Sequence, residues 1–401
     1  MKKISLLCIT ALLLFACSCA QADGVTLKTV SIFAGTDAAA DTYAALLKKW
    51  QDETGNTVSD FSATSDEAWK RGVLKDFAAG NEADVMFFFA KTADSEAILS
   101  KVTPIADINA AYPEAHLTMD KAVTELNGQI YAIPVRPYWE ALFCNVDLFE
   151  RYELALPDTW EKLETAVKTF RDAGIVPIAV SLSDVPHYLA EFCILCAGSD
   201  KDYTARPAAG ESVPQSWVEG MALIHRLYEM GAFTKDVNAT TEAATSQMFR
   251  EKKAAMQVDG SWFANSLTQE GMLSTAVIPF PALRAQKGGA AYISGVSMGF
   301  YLSRAAWKDS RRRDAAVDLL RFLTTGENVT ALGVYNISGM LLESYQNMEK
   351  TVKDRYTPIQ DDMQSEARGK WLSCIPGVAD GSVDPEKMWA EIMEMDPFAA
   401  R

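Results

Sequence analysis

The 401-residue sequence contains 38 Lys and Arg against 53 Asp and Glu, a formal net charge of −15, with 49% hydrophobic and 23% charged residues. This balance is typical of a folded globular protein, and it excludes a disordered chain or one with many membrane spans. The negative charge also argues against nucleic acid or anionic lipid as a partner bound by charge.

The N-terminus has the order of a secretory signal. Lys2 and Lys3 precede the apolar run 4–16, which is too short to cross a hydrocarbon layer of ~30 Å. The tetrad Leu14-Phe15-Ala16-Cys17 resembles a bacterial lipobox, in which the cysteine receives diacylglycerol. We therefore predict a signal peptide over 1–16, lipidation at Cys17 and a linker over 17–27. The alternative is a plain signal peptide with incidental cysteines.

The chain after the signal alternates short apolar runs with longer segments of helical period, which indicates an α/β architecture with mainly parallel sheets. Residues 17–401 also exceed the ~250–300 residues at which single cores stop growing, so two lobes are expected. The predicted strands are 29–33, 85–89, 141–145 and 178–180, and helical stripes begin near residues 43, 66, 160, 217 and 316.

The cysteines and histidines give weak signals for a metal. Cys193 and Cys196 form a C-x-x-C, but no second pair lies at zinc-finger spacing and the three His are scattered. We interpret the pair as buried core of a helix, with a disulfide or redox role as the alternative, and we expect neither metal nor cofactor. Nucleotide-binding and hydrolase fingerprints are also missing from the sequence, so no enzyme activity is expected.

Several segments, in this order, resemble family 1 extracellular solute-binding proteins, the substrate-binding lipoproteins of carbohydrate ABC importers. The resemblance covers nearly all of the chain after Cys17. The segments are the lipobox, Phe77–Val85, Tyr131–Val135, Asn145–Phe149, Pro157–Trp160 and Phe249–Met256 with Gly260-Ser-Trp262. Two positions depart from the family: Cys144 stands in place of its usual Tyr, and Ala83 in place of its usual Pro.

The resemblance implies a two-lobed fold of the periplasmic-binding-protein type (type II), each lobe a mainly parallel sheet flanked by helices and joined by hinge crossings. It places the N-terminal lobe at 28–137 plus 275–325 and the C-terminal lobe at 138–274 plus 326–401. The cleft between the lobes would hold a sugar or oligosaccharide and deliver it to ABC permease subunits. The protein would be a monomer, anchored outside the cell membrane through Cys17.

Two alternative functions remain open. One is a binding protein for another solute, such as a polyamine or a metal chelate. The other is a secreted carbohydrate-active enzyme, which would need two carboxylates facing each other across the cleft.

A sugar site needs an aromatic platform with polar groups around it. Trp262 follows Asp259-Gly-Ser at the end of an apolar strand, where ligands of α/β folds bind. Arg136 lies at the predicted crossing, although a hinge could use it for packing alone. The full set of predicted ligand-binding residues is Thr36, Asp37, Phe89, Arg136, Tyr138, Trp139, Glu140, Asp259, Trp262, Gly295, Ser297 and Trp371.

Overall fold

The computed structural model describes residues 24–35, 37–65, 67–90, 97–119, 125–126, 128–198, 200–283, 291–333 and 337–398. The predicted signal peptide, the lipidation site Cys17 and the candidate Thr36 lie outside these residues. Within the described ranges, no helix is both long and apolar enough to cross a membrane.

Thirteen strands and a larger set of helices are arranged in alternation in the described part of the chain. The strands are β1 (Thr26–Val30), β2 (Thr57–Asp60), β3 (Val85–Phe89), β4 (Glu125–Leu126), β5 (Gln129–Ile130), β6 (Ile133–Pro134), β7 (Tyr138–Asn145), β8 (Val176–Ala179), β9 (Ala254–Gly260), β10 (Thr275–Ile278), β11 (Ala291–Gly295), β12 (Met298–Leu302) and β13 (Asp354–Tyr356). The α-helices are Ala40–Thr54, Glu67–Ala79, Ile105–Ala111, Val146–Arg151, Trp160–Asp172, Pro186–Ala197, Asp200–Tyr203, Gln215–Glu229, Glu242–Arg250, Gln269–Leu273, Arg304–Lys308, Arg313–Thr324, Gly326–Leu332, Gly339–Thr351, Ser365–Ala379 and Pro385–Met393. Short 3-10 helices cover Pro113–Ala115, Ser261–Ser266 and Ile359–Asp362.

Local sequence explains where several of these helices begin and end. The Thr159 side chain accepts a hydrogen bond from the Lys162 N–H at 3.3 Å, as expected for an N-cap. The first helix ends at Gly55, whose φ of 73° lies in the left-handed region that glycine adopts at low cost. Cys193 and Cys196 are buried on one helix as free thiols, which confirms their interpretation as core.

The first sheet has the strand order β2-β1-β3-β12-β6. Its β2, β1 and β3 pair in parallel, whereas β12 pairs antiparallel with β3 and β6. Apolar side chains such as Phe87 and Phe300 stack from this sheet onto the flanking helices. This sheet and its helices form the first lobe.

The second sheet has the order β13-β11-β7-β9-β8, and β10 also pairs with β7. Strand β7 is buried along its whole length, because β9 lies on one side of it and β10 and β11 share the other. Its alternating side chains enter two separate cores, one with Leu142 and one with Phe143. This sheet and its helices form the second lobe.

The two-lobed α/β prediction is confirmed, but two of its details are wrong. Both sheets are mixed rather than mainly parallel, because β12 pairs antiparallel with β3 and β6, and β7 pairs antiparallel with β9, β10 and β11. The predicted return to the first lobe at residue 275 is also wrong, since β10 pairs antiparallel with β7 in the second sheet.

The described residues instead indicate three places where the chain passes between the sheets. The first two are 134–138 and 295–298, which run side by side because Gly295 pairs with Tyr138 and Gly299 with Pro134. The third follows Leu332, which packs in the first lobe, and precedes Leu341, which packs in the second. The predicted departure at residue 325 is therefore too early.

Candidate functional site

Trp262 begins the site at the carboxyl end of β9. Its indole ring lies flat on Gly260, so closely that a Cβ added there would be 2.2 Å from a ring carbon. The ring centroid lies 6.1 Å from that of Tyr138 and 5.7 Å from that of Tyr188. We call these three side chains the aromatic trio. Trp262 remains partly exposed, as a stacking platform for a solute requires.

Four carboxyl groups lie around the aromatic trio: Glu140, Glu191, Asp259 and Asp361, which we call the acidic cluster. Burial raises the pKa of Glu140 well above its usual range, and repulsion by Glu191, Asp361 and Asp259 raises that pKa further. The Tyr138 hydroxyl donates to the Asp361 carboxylate at 3.5 Å. The cluster is thus in contact with the trio.

Asp259 is held in place by its own strand. Its carboxylate accepts hydrogen bonds from the Gly260 N–H at 2.7 Å and from the Gln257 amide at 2.6 Å, and Trp262 donates to the same group. Burial, and then repulsion by Glu242, raise the pKa of Asp259 to about 8. The Trp262 ring therefore lies against both Asp259 and Gly260.

Glu191 is buried in the helix Pro186–Ala197 and positions a turn of the second lobe. Its carboxylate accepts hydrogen bonds from the Tyr203 hydroxyl at 2.7 Å and from the N–H groups of Ile359 and Gln360, both at 3.0 Å. Burial raises its pKa to about 7 despite these donors. The next residue of this turn is Asp361, so Glu191 fixes the turn that presents Asp361 to Tyr138.

The first lobe faces this site with Phe89 and Lys70. The Lys70 ammonium lies 4.8 Å from the centroid of the Phe89 ring, and Lys70 is only 4% exposed. Burial, followed by the positive charges of Arg368 and Lys70, lowers the pKa of His187 well below its usual range. Because Lys70 belongs to the first lobe and His187 to the second, the lobes approach each other at this point.

Arg136, in the first crossing, forms hydrogen bonds with two residues of the first lobe. Its guanidinium donates two hydrogen bonds to the Asp37 carboxylate, at 2.8 and 3.1 Å, and two to the Leu332 carbonyl, at 3.1 and 2.9 Å. It also lies 5.1 Å from the centroid of the Phe33 ring. Arg136 therefore links the first crossing to the start of the third.

A comparison with known families identifies the kind of protein that carries this site. The sequence profile of the bacterial extracellular solute-binding proteins matches residues 45–355. The chain belongs to this family. A search of curated proteins finds no match to the sequence.

Solved structures share the fold of this solute-binding protein at low sequence identity. One, from work on xylan utilization by the thermophilic bacterium Caldanaerobius polysaccharolyticus, is 19% identical with a TM-score of 0.77, over 92% of this chain and 99% of the other. A chitin oligosaccharide binding protein is 18% identical with a TM-score of 0.76, over 93% and 98%. The maltose/maltodextrin-binding domain of Bdellovibrio bacteriovorus, bound to maltotriose, is 16% identical with a TM-score of 0.70, over 93% and 98%.

The structure separates the predicted residues of this solute-binding protein into groups. Trp262, Asp259, Tyr138 and Glu140 come together in the second lobe. Phe89 lies in the first lobe, where its ring packs beside Lys70. Arg136 and Asp37 pair with each other instead of facing the trio. Gly295 and Ser297 lie in the second crossing, where Gly295 packs against the Tyr138 ring and the Ser297 carbonyl accepts from the Ala90 N–H at 2.7 Å.

Two predicted tryptophans lie in cores, and those predictions are wrong. Trp139 points to the opposite face of β7 from Tyr138 and stacks on Tyr345, with centroids 4.8 Å apart. Trp371 is fully buried, 5.6 Å from Trp389 between ring centroids. Neither ring surface is available to a solute.

Sequence reasoning missed Tyr188, Glu191, Asp361, Lys70 and His187. Tyr188 and Glu191 lie in a helix whose apolar composition indicates only core. Asp361 stands beside Asp362, a pair that is ordinarily a solvated face. A carboxylate inside an otherwise apolar helix is the one signal that could have identified Glu191, since such a group needs buried donors.

Proposed function

We propose that this protein is a lipid-anchored receptor that binds a sugar or oligosaccharide between its lobes and delivers it to an ABC importer. The observation that carries the proposal is the partly exposed Trp262 ring, which is fixed by Gly260 and Asp259 among carboxyl groups. Sugar rings place their C–H faces on aromatic rings and their hydroxyls on such acceptors.

The surroundings of Trp262 fit a solute that enters between the lobes. The small cavity of about 10 Å³ beside Asp259 and Glu242 has room for about one water molecule and not for a sugar ring. The solute therefore lies on the other side of the platform, towards Phe89 and Lys70 of the first lobe. Hinge motion at the crossings would close both lobes on it.

The structural relatives support a sugar as the solute. Those described above include a binding protein for chitin oligosaccharides and a maltodextrin-binding domain bound to maltotriose. Because their identity to this chain is below 20%, they support the class of solute and leave the particular sugar to experiment. Membership of a solute-binding family further favours a receptor over a carbohydrate-cleaving enzyme.

A thermal-shift screen over monosaccharides, oligosaccharides, polyamines and metal ions tests the proposal. A ligand at ~100 times its Kd adds ~2.7 kcal/mol to the folded state, so the correct class should raise the melting temperature clearly. The same oligosaccharides should remain uncleaved after long incubation, as checked by chromatography. A shift with polyamines or metal ions alone would contradict sugar binding, and new cleavage products would support the enzyme.

The anchor at Cys17 is tested separately. Mass spectrometry of the membrane-extracted protein should find diacylglycerol on an N-terminal Cys17. A mature chain that begins elsewhere without lipid would contradict this part of the proposal and leave solute binding untouched.

A further inference from the structure

Glu140 is a nearly buried carboxyl group that the described residues leave without a hydrogen-bond or ion-pair partner. It lies on β7 and is 4% exposed. Among the residues that the structure describes, none donates a hydrogen bond to its carboxylate or forms an ion pair with it. Since burying an unpaired ionised group is costly, its presence in the site calls for a ligand group that compensates it.

The other acidic groups of the cluster already have donors. Glu191 is held by a hydroxyl and two backbone N–H groups, and Asp259 by one backbone N–H and the Gln257 amide. Among the described residues, the charges that raise the pKa of Glu140 are those of the Glu191, Asp361 and Asp259 carboxylates. A positively charged donor is the group that would complement the ionised form of Glu140 among these carboxylates.

Nearby basic side chains in the second lobe have other partners. Arg206 donates two hydrogen bonds to the Asp362 carboxylate, at 2.9 and 2.7 Å. Arg368 donates to the side-chain oxygen of Gln360 at 2.9 Å. Neither of these two arginines forms an ion pair with Glu140 in the described structure.

The aromatic trio favours an organic cation over a metal ion. Tyr138 precedes Glu140 by two residues on one strand, so both side chains point to the same face, and the Tyr138 ring is 6.1 Å from Trp262. Aromatic faces attract ammonium groups, whereas a metal requires several oxygen ligands in a closed shell. Within the described ranges, no group of three or more His, Cys, Asp or Glu is arranged to hold a metal ion.

We propose that the solute carries a protonated amine, which binds the Glu140 carboxylate beside Tyr138 while the rest of the sugar stacks on Trp262. The solute is then a sugar with a free amino group, and this inference rests on the proposed function. The amine forms a charge-assisted hydrogen bond, which is stronger than one from a neutral hydroxyl.

Calorimetric titration of the mature protein at pH 6.5 tests the inference with matched ligands. The probes are 2-amino-2-deoxy sugars, their N-acetyl counterparts and the parent neutral sugars, as monomers and as β-1,4-linked trimers, with spermidine as a non-sugar amine. Within each set of matched sugars, the sugar with a free amine should bind at least tenfold more tightly than its N-acetyl and neutral counterparts. Glu140→Gln should lower the affinity for the amino sugar by at least thirtyfold, because it removes one partner of a buried charge pair. Since Glu140 has no hydrogen bond to lose, this variant should fold.

Glu150→Gln is the matched control, since it makes the same change at an exposed residue, and its affinity should equal that of the wild type. If a neutral or N-acetyl sugar binds as tightly as the amine, or if Glu140→Gln keeps the preference, the inference is wrong and sugar binding stands. If only spermidine binds, and Glu140→Gln abolishes that binding, recognition of an amine by Glu140 is supported and sugar binding is contradicted. If no probe binds, the inference is wrong, and the wider thermal-shift screen decides sugar binding independently.

Discussion

Replacing Arg136 should destabilise the protein, because the structure gives this side chain a linking role. Its side chain is 5% exposed and that of its partner Asp37 is 12% exposed, so solvent screens the pair little. Arg136→Ala leaves the Asp37 carboxylate with the Ala39 N–H, at 2.9 Å, and removes both donors from the Leu332 carbonyl. Breaking a buried pair in this way costs about 3–5 kcal/mol of unfolding free energy.

Arg136→Lys should cost less, about 1–2 kcal/mol. A lysine keeps the positive charge for Asp37, but it lacks the planar fork that serves two acceptors at once. Urea denaturation followed by circular dichroism measures both variants. Arg311→Ala, at an exposed arginine, is the control and should change the unfolding free energy by less than about 0.5 kcal/mol. Unchanged stability of Arg136→Ala together with lost solute affinity would refute the linking role and make Arg136 a ligand contact.

Two further predictions concern the site itself. Gly260→Ala should weaken solute binding about tenfold while the protein still folds. The new Cβ would displace the Trp262 ring, at a cost of about 1 kcal/mol or slightly more of binding energy. Titration calorimetry measures the affinity, and an unchanged value would show that the position of the ring does not matter. Glu140→Gln should stabilise the unliganded protein at pH 8 and have little effect at pH 5. The raised pKa of Glu140 means that its ionisation opposes folding as the pH rises above its unfolded value of ~4.3. Urea denaturation at both pH values checks this, and destabilisation at pH 8 would contradict it.

The sequence predicts most helices and strands of this protein because their signals are local. The Thr159 cap and the glycine at position 55 act within a few residues, and the structure has helix ends at both. The assignment of strands to lobes, by contrast, does not follow from local signals. The pairing of β10 with β7 is decided by side chains far apart in sequence, so a boundary at residue 275 could not be corrected from the sequence.

The same distance in sequence limits what can be predicted of the site. Trp262 and Asp259 share one strand end, so their neighbourhood follows from local reasoning about α/β folds. Arg136, by contrast, contacts Asp37 and Leu332, which lie 99 and 196 residues away. Trp139 and Tyr138 are adjacent in sequence and point to opposite faces of β7. Only the position of the cores on each side shows which of them lies in the candidate site.

The affinity of Trp262→Ala for the best solute of the screen is the most direct test of solute binding at the aromatic trio. Titration calorimetry should show binding weaker by about 5- to 150-fold, equivalent to about 1–3 kcal/mol for the loss of a stacking aromatic. Trp307→Ala, at another partly buried tryptophan outside the trio, should bind the solute as the wild type does. Equal affinity of a well-folded Trp262→Ala protein and the wild type would contradict the account.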